Sequence, residues 1–176
     1  MAKIYRATAI ILKRQNLGEA DRLITVFSER SGKLKLMAKG IRKLTSRKKG
    51  HLEIFTLSRL MIVTTKSIDL ITEAATVNNF SRLRQNLNRV RIAYLFCELV
   101  DKLTVENQEQ VAIFALLKTY LSQLNSQSVT SDLIVNFETE LLKLLGFGLP
   151  AEISRESLET HIASITERTL HSNKIR

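Results

Sequence analysis

The residues of this 176-residue chain that are best suited to chemistry are basic side chains concentrated in one stretch. Between Arg30 and Gly50 there is no Asp or Glu, and the stretch contains nine cations: Arg30, Lys33, Lys35, Lys39, Arg42, Lys43, Arg47, Lys48 and Lys49. Many dispersed positive charges suit the phosphates of a nucleic acid better than a small metabolite, because each neutralised phosphate adds to binding. The stretch therefore predicts a nucleic-acid-binding surface. The alternative is a solvated, lysine-rich loop.

The net charge of the chain is concentrated in its first half. The formal charge is +10 at pH 7; residues 1–80 carry 16 basic and 6 acidic side chains, whereas residues 81–176 carry 11 of each. Such asymmetry is typical of two modules, one of which meets an anionic partner. Four cations at the start of the second half have no acidic neighbour before Glu98 and either extend the binding surface or are solvated helix charges: Arg82, Arg84, Arg89 and Arg91.

Residues that could support catalysis are few. The chain has no P-loop, GxGxxG, HExxH or CxxC motif, so nucleotide hydrolysis, dinucleotide redox chemistry and zinc catalysis lack their usual residues. Glu19 and Asp21 could hold Mg²⁺ in a nuclease, but salt bridges to Arg14 and Arg22 that shape the turn are the favoured interpretation. The single cysteine, Cys97, excludes an intrachain disulfide and fits a small buried residue on a helix.

Elements with a period of two must position the basic stretch. Alternating hydrophobicity and residues that favour strands predict five strands, at residues 5–14, 21–28, 33–39, 52–65 and 68–76, of which 52–65 is either one long strand or a bent pair. The third strand places Leu34, Leu36 and Ala38 on one face and its lysines on the other, and a mobile cationic loop is expected after it. Five short strands without crossover helices favour a small closed or partly closed barrel of the OB-fold type, and an SH3-like barrel would fit nearly as well.

From residue 78 onward the hydrophobic period changes to 3.6. Apolar stripes predict packed helices at residues 89–103, 108–124, 131–145 and 154–170. The expected core positions include Tyr94, Val111, Phe137, Leu141 and Leu144. The predicted fold class is therefore α+β, with a five-stranded OB-fold domain at residues 1–78 followed by a small α-helical bundle at residues 79–176.

Apolar stretches near the start of the chain are too short to cross a bilayer. The longest, residues 7–12, is closed by Lys13 and Arg14. Neither a signal peptide nor a membrane helix is expected, and a cytoplasmic protein with no membrane partner is the default.

Two segments resemble a known family. The run GEADRLITVFSERSGKLKLMAKGIRK, with Ser46-Arg47 after it, is similar to the amino-terminal OB domain of the bacterial recombination mediator family RecO. It has the EADR-like turn, a strand ending in Phe-Ser, a turn with glycine, and Ala-Lys-Gly leading into a basic Ser-Arg loop. In the second half, FETELLKLLGFGLP is similar to the family's Leu-Gly-aromatic-x-Pro helix end. The resemblance covers roughly residues 4–150.

The resemblance implies a DNA-binding repair protein that is not an enzyme. RecO proteins bind single- and double-stranded DNA without sequence preference and anneal complementary strands, including strands coated by single-stranded-DNA-binding protein. They act with RecR to load the recombinase RecA, which implies a cytoplasmic, nucleoid-associated protein. Carried over by position, the DNA contacts would be Lys33, Lys35, Lys39, Arg42, Lys43, Arg47, Lys48 and Lys49.

The chain departs from the pattern of the RecO family in one segment. Many RecO proteins follow the Leu-Gly-aromatic-x-Pro turn with a four-cysteine zinc module, whereas here those cysteines are absent and about 26 residues follow Pro150. No zinc or other cofactor is therefore expected, and docking of the single-stranded-DNA-binding protein is left open.

Two other classes of protein fit parts of the sequence. An RNA-binding OB module, such as a ribosome-associated factor, would use the same basic loop, since nothing in the chain identifies a reader of the 2′-hydroxyl. A Mg²⁺-dependent nuclease would be built on Glu19 and Asp21. Competition between DNA and RNA strands, and a search for cleavage products, would separate these classes from a DNA mediator.

Overall fold

The computed structural model describes residues 3–126 and 130–167. Its first half consists of the strands β1 (Ile4–Leu17), β2 (Asp21–Ser28), β3 (Gly32–Ala38), β4 (Leu57–Val63) and β5 (Leu70–Asn78). Its second half consists of the helices α1 (Leu87–Leu103), α2 (Val111–Ser126), α3 (Ser131–Leu145) and α4 (Arg155–Glu167). The predicted order of strands and then helices is confirmed.

The five strands close into a ring in the order β1-β2-β3-β5-β4, with β4 paired back onto β1. All pairs are antiparallel except β3 with β5, which meet in parallel at Met37 and Leu70. Strand β1 can pair with both neighbours because it is long: its first part lies against β4 and its second part against β2, with an irregularity between Ile11 and Lys13. This arrangement confirms the predicted five-stranded OB-like domain.

The interior of the ring is filled by alternate residues of each strand. Ala9 and Ile11 of β1 and Ile24 and Val26 of β2 are fully buried there. The predicted inward face of β3, formed by Leu34, Leu36 and Ala38, is confirmed.

The opposite face of the ring shares a second core with the helices. This core contains Ile10 and Leu12 of β1, Phe27 of β2 and Leu57 of β4, together with residues from all four helices. Both faces of β1 are therefore buried over residues 9–12, which is why that segment reads as a continuous apolar run. The ring and the helices pack directly on each other, and the proposed division at residue 78 stays a prediction.

The helices bury broader faces than the stripes predicted. Phe137 and Leu141 are fully buried, as expected, and Phe137 stacks on Phe96 with ring centroids 4.0 Å apart. Tyr94, Val111 and Leu144 were expected in the core but are about half exposed, at 49%, 49% and 48%. A helix with neighbours on two sides turns its less buried edge to solvent, which a single stripe does not resolve.

The ends of the elements follow local signals. Asn86 caps α1 by accepting a hydrogen bond from the backbone N–H of Arg89, and α3 ends at Gly146, which has a φ of 74°. The predicted strand at residues 52–65 is wrong in its first part, because residues 49–52 form a short 3-10 turn and Phe55 has a φ of 70°. The predicted helix residue Leu170 lies outside the described residues.

The single cysteine lies on a helix. Cys97 is buried on α1, as predicted, and burial raises the pKa of its thiol.

Within the described residues, no helix is both long enough and apolar enough to cross a membrane.

The carboxyl group of Glu138 on α3 is buried, which is unfavourable for its charged form. It is 1% exposed, and its Oε2 atom has no hydrogen-bond partner. Burial raises the pKa of this carboxyl from an ordinary value of 4.5 to about 7; nearby Glu159 adds to the rise, while Arg155 opposes it. The folded protein therefore holds a proton at pH values where the unfolded chain has lost it.

We expect this carboxyl to make folding stability depend on pH. Its contribution is fully present below about pH 4.5, declines as pH rises, and is lost above about pH 7. The side chain of the variant Glu138→Gln stays neutral at both pH values. The free energy of unfolding of this variant minus that of the wild type should therefore be about 1–3 kcal/mol larger at pH 8 than at pH 4.5. Urea unfolding at both pH values measures this difference. In the control variant Glu152→Gln, at an exposed position, the difference in free energy of unfolding from the wild type should be the same at both pH values. If the two variants respond equally to pH, the expectation is contradicted.

Candidate nucleic-acid interface

The fold divides the basic stretch between two ends of the barrel. Arg30 lies in the turn between β2 and β3, whereas the cations from Lys39 onward follow β3 at its other end. Strand β2 runs along β3 with Ser28 opposite Gly32 and Arg22 opposite Ala38. At about 3.3 Å per residue the two ends of β2 are roughly 23 Å apart. Arg30 is thus close to Lys39 and the cations after it in sequence only.

The segment at residues 39–51, here called the basic connection, forms consecutive turns over one end of the barrel. Ile41, near its start, and Leu52, directly after its end, are fully buried in the barrel interior. Within the segment, the backbone N–H of Lys43 donates to the carbonyl of Gly40, and that of Ser46 donates to the carbonyl of Lys43, both at 3.1 Å. The sequence predicted a mobile cationic loop here; in the structure, two buried apolar side chains anchor the turns.

Hydrogen bonds to the β1–β2 turn hold the start of the basic connection. The N–H of Gly40, which has a φ of 64°, donates to Oδ1 of Asp21 at 2.7 Å, and the N–H of Arg42 donates to the carbonyl of Ala20 at 2.9 Å. Asp21 therefore shapes this turn, as expected, but through a backbone N–H. The predicted salt bridges to Arg14 and Arg22 are wrong, since Arg14 pairs with Glu53 at 2.6 Å and Arg22 donates to Asn16.

Most cations of the basic connection point to solvent. Within this fully described segment, five basic side chains are exposed: Lys39, Arg42, Lys43, Arg47 and Lys49. Arg42 donates from Nη1 to the carbonyl of Gly18 at 3.0 Å, which fixes its side chain beside the β1–β2 turn. Lys48 differs, because its Nζ donates to the carbonyl of Ile71 at 3.0 Å and burial lowers the pKa of its ammonium.

Lys33 and Lys35 pair with acidic residues of the helical half, Lys33 from a buried position and Lys35 from an exposed one. Lys33 is 8% exposed; its Nζ donates to the carbonyl of Asp101 at 2.5 Å and lies 3.4 Å from the carboxylate of the same residue. Lys35 forms a salt bridge with Glu106 at 2.5 Å, which raises the pKa of its ammonium. Asp101 lies in the last turn of α1, and Glu106 lies in the α1–α2 junction. These two lysines join the barrel to the helices, although the sequence placed them with the DNA contacts.

The four arginines after the barrel also divide. Arg82 and Arg91 are exposed, and Arg89 is half-buried with Nη1 3.5 Å from the carbonyl of Asn125. Arg84 donates to the carbonyl of Ile54 at 2.6 Å and to Oγ1 of Thr56 at 2.9 Å, with its guanidinium 5.5 Å from the ring centre of Phe55. Burial lowers the pKa of Arg84.

This arrangement makes Arg84 a structural bridge. It ties the residues before β4 to the segment that enters α1, and its hydrogen bonds leave little of the guanidinium for a phosphate.

Aromatic side chains are scarce on the barrel surface. Residues 1–78 contain only Tyr5, Phe27 and Phe55 as aromatics. Phe27 and Phe55 are buried, and half-buried Tyr5 packs against the barrel interior with its hydroxyl 3.3 Å from Asp69. Phe27 and Phe55 therefore belong to the core. The basic connection itself carries no Phe, Tyr or Trp, and its one imidazole, that of half-buried His51, is hydrogen-bonded through Nδ1 to Oγ1 of Thr76 at 2.8 Å.

Sequence reasoning missed two further exposed cations of the barrel, Arg6 and Arg59. They lie outside the basic stretch, on β1 and β4, with Arg59 directly opposite Thr8. Their alternation with buried neighbours was the available signal, since every second residue of these strands faces outward. Within the described residues, no three His, Cys, Asp or Glu side chains are grouped so as to hold a metal ion.

Comparison with known proteins gives the same result for both halves of the chain. Residues 1–80 match a family model described as "Recombination protein O N terminal", and residues 84–152 match one described as "Recombination protein O C terminal". A protein named DNA repair protein RecO from Roseiflexus sp. (strain RS-1) is 37% identical over 145 residues, which cover 82% of this chain and 51% of that protein.

Other relatives carry the same printed name. The DNA repair protein RecO of Trichodesmium erythraeum (strain IMS101) is 33% identical over 85% of this chain and 51% of its own length. That of Gloeothece citriformis (strain PCC 7424) is 32% identical over 92% of this chain and 59% of its own length. The chain thus spans about half the length of the curated relatives it matches.

Proposed function

Since the chain belongs to the RecO family of DNA repair proteins, we propose that it binds DNA without sequence preference through the basic connection and promotes annealing of complementary strands. The observation that carries this proposal is the group of five exposed cations held on anchored turns at one end of the barrel. A surface of this kind neutralises phosphates at fixed positions without contacting base edges.

Annealing follows from charge alone. Two complementary strands repel each other, and a protein that neutralises their phosphates lowers that barrier, so no bond needs to be made or broken. We therefore propose a binding protein without an enzymatic step, acting in the cytoplasm on the nucleoid. The family resemblance supports RecR as a partner and assistance to RecA loading on strands coated by single-stranded-DNA-binding protein.

Binding to single-stranded DNA should depend steeply on salt. If the five exposed cations of the basic connection each displace condensed counterions, the logarithm of the association constant should fall against the logarithm of salt concentration with a slope of about −3 to −4. Fluorescence anisotropy of a labelled strand across a salt series measures this slope.

The matched control for this measurement is a strand of the same length without bases. Because the basic connection has no Phe, Tyr or Trp and its one imidazole, His51, is bonded to Thr76, the abasic strand should keep most of the affinity, whereas stacking would cost roughly 1–3 kcal/mol per lost base. A shallow slope, or a large loss with the abasic strand, would show that the barrel binds bases instead of phosphates.

The proposed annealing activity has a direct test. Complementary strands are coated with single-stranded-DNA-binding protein, and duplex formation is followed by fluorescence with and without this chain. We expect duplex formation on coated strands only when the chain is present. Failure on both coated and naked strands would overturn the annealing proposal, and preference for a matched RNA competitor would favour an RNA-binding module.

A further inference from the structure

Three arginines outside the basic connection meet at one depression on the outer face of the barrel. Arg6 comes from β1, Arg59 from β4 and Arg30 from the β2–β3 turn, and they line a cavity of ≈ 330 Å³. Thr8 lies opposite Arg59 and Arg6 opposite Met61, so Arg6 and Arg59 are diagonal neighbours on the same face of this strand pair.

The turn that carries Arg30 is fixed against β1. The N–H of Glu29 donates to the carbonyl of Thr8 at 3.0 Å, and the N–H of Ser31 donates to Oγ of Ser28 at 2.9 Å. These bonds hold the backbone on both sides of Arg30 beside the strand pair. The three arginines are therefore brought together by the fold from positions 6, 30 and 59.

Their guanidinium groups are available to a ligand. All three side chains are exposed, and within residues 3–126 and 130–167 no hydrogen bond or ion pair engages their guanidinium groups. Glu29 is the acidic residue of this lining, and Glu73 lines the adjoining depression that Arg6 and Arg59 also border. Three cations against these two carboxylates leave a net positive charge at this surface.

The chemistry of the lining favours a phosphodiester backbone. A guanidinium binds phosphate oxygens through two parallel N–H donors, which a lysine cannot do. The remaining lining is small, with Ala7, Thr8 and Ser31, and has neither an aromatic ring for a base nor an apolar pocket for the anchor residue of a protein partner.

We infer that Arg6, Arg30 and Arg59 form a second phosphodiester-binding site, so that one chain holds two DNA backbones at once. This inference rests on the proposed DNA binding by the basic connection. The two sites lie at opposite ends of the β2–β3 hairpin, roughly 23 Å apart. Each site then neutralises the phosphates of one strand. Because both sites lie on the same barrel, the two strands are held close together.

The test is bridging of two strands that cannot pair. Two dT12 strands, one with a donor and one with an acceptor fluorophore, are mixed with the full chain, and energy transfer reports their proximity. In the variant Arg6→Gln/Arg30→Gln/Arg59→Gln, we expect energy transfer to fall at least about fivefold while affinity for one strand changes less than about threefold. The matched control Lys13→Gln/Lys118→Gln/Lys143→Gln, at exposed positions, should bridge like the wild type.

The possible results distinguish failure of the second site from failure of the proposed DNA binding by the basic connection. Bridging by the arginine variant at the wild-type level would overturn the second site and leave the proposed DNA binding in place. A loss of single-strand affinity equal to that caused by changes in the basic connection would show one continuous site, which also overturns it. If the variant bridges normally but loses binding to an oligo-glutamate peptide, the surface serves a protein. Absence of any DNA binding by the wild type would overturn both proposals.

Discussion

Reversing two charges of the basic connection, in Lys39→Glu/Lys43→Glu, should weaken binding to single-stranded DNA on the order of 100-fold at low salt. Both lysines are exposed on turns that Ile41 anchors in the barrel, so the substitutions change the charge of the surface and leave its backbone in place. Two lost phosphate contacts and two added repulsions account for an effect of this size. Anisotropy titration with a labelled dT strand measures it.

The chain offers a control with the same change in net charge. Lys118 on α2 and Lys143 on α3 are also exposed, and Lys118→Glu/Lys143→Glu alters the total charge equally. We expect this variant to bind within about threefold of the wild type, because a screened distant charge contributes little. Equal losses in the two variants would mean that overall charge, rather than the basic connection, determines affinity. Lys48 is left out because it already bonds to Ile71.

Substituting Gly32 by alanine should destabilise the protein by at least about 3 kcal/mol. Gly32 has a φ of 61°, and an added Cβ would lie 1.8 Å from the carbonyl oxygen of Gln108, a backbone atom of the α1–α2 junction. Nearby, the N–H of Asn107 donates to the carbonyl of Lys33 at 2.9 Å. The substitution therefore forces the barrel away from the helices where the two halves are joined. Urea unfolding measures the loss.

Gly18 provides the matched control for this substitution. It has a φ of 58°, but an added Cβ would meet nothing within 4 Å. Gly18→Ala should therefore show only the cost of the left-handed backbone, about 1–2 kcal/mol. Equal losses of stability at the two positions would show that the junction yields to the extra atom and that the close contact with Gln108 is unimportant.

Much of the fold was predictable because its signals are local. Alternating residues in the strands and the 3.6 period of the helices identified the five strands and four helices, and the predicted bounds of α3, residues 131–145, are the observed ones. For residues 52–56, the same local signals gave a wrong prediction of a strand. Their apolar side chains are typical of a strand, but Phe55 is buried from a left-handed backbone beside Arg84, a contact made 29 positions away.

The sequence by itself determined that this chain has a basic barrel domain followed by neutral helices, because composition and periodicity are properties of the chain alone. The tertiary structure decided which cations are free. No Asp or Glu lies between Arg30 and Gly50, yet Lys33 pairs with Asp101 in the last turn of α1 and Lys35 pairs with Glu106 in the α1–α2 junction. Ion pairs form wherever folding brings opposite charges within a few ångströms, whatever their separation along the chain. For the same reason, only the folded chain brings Arg6, Arg30 and Arg59 to one depression.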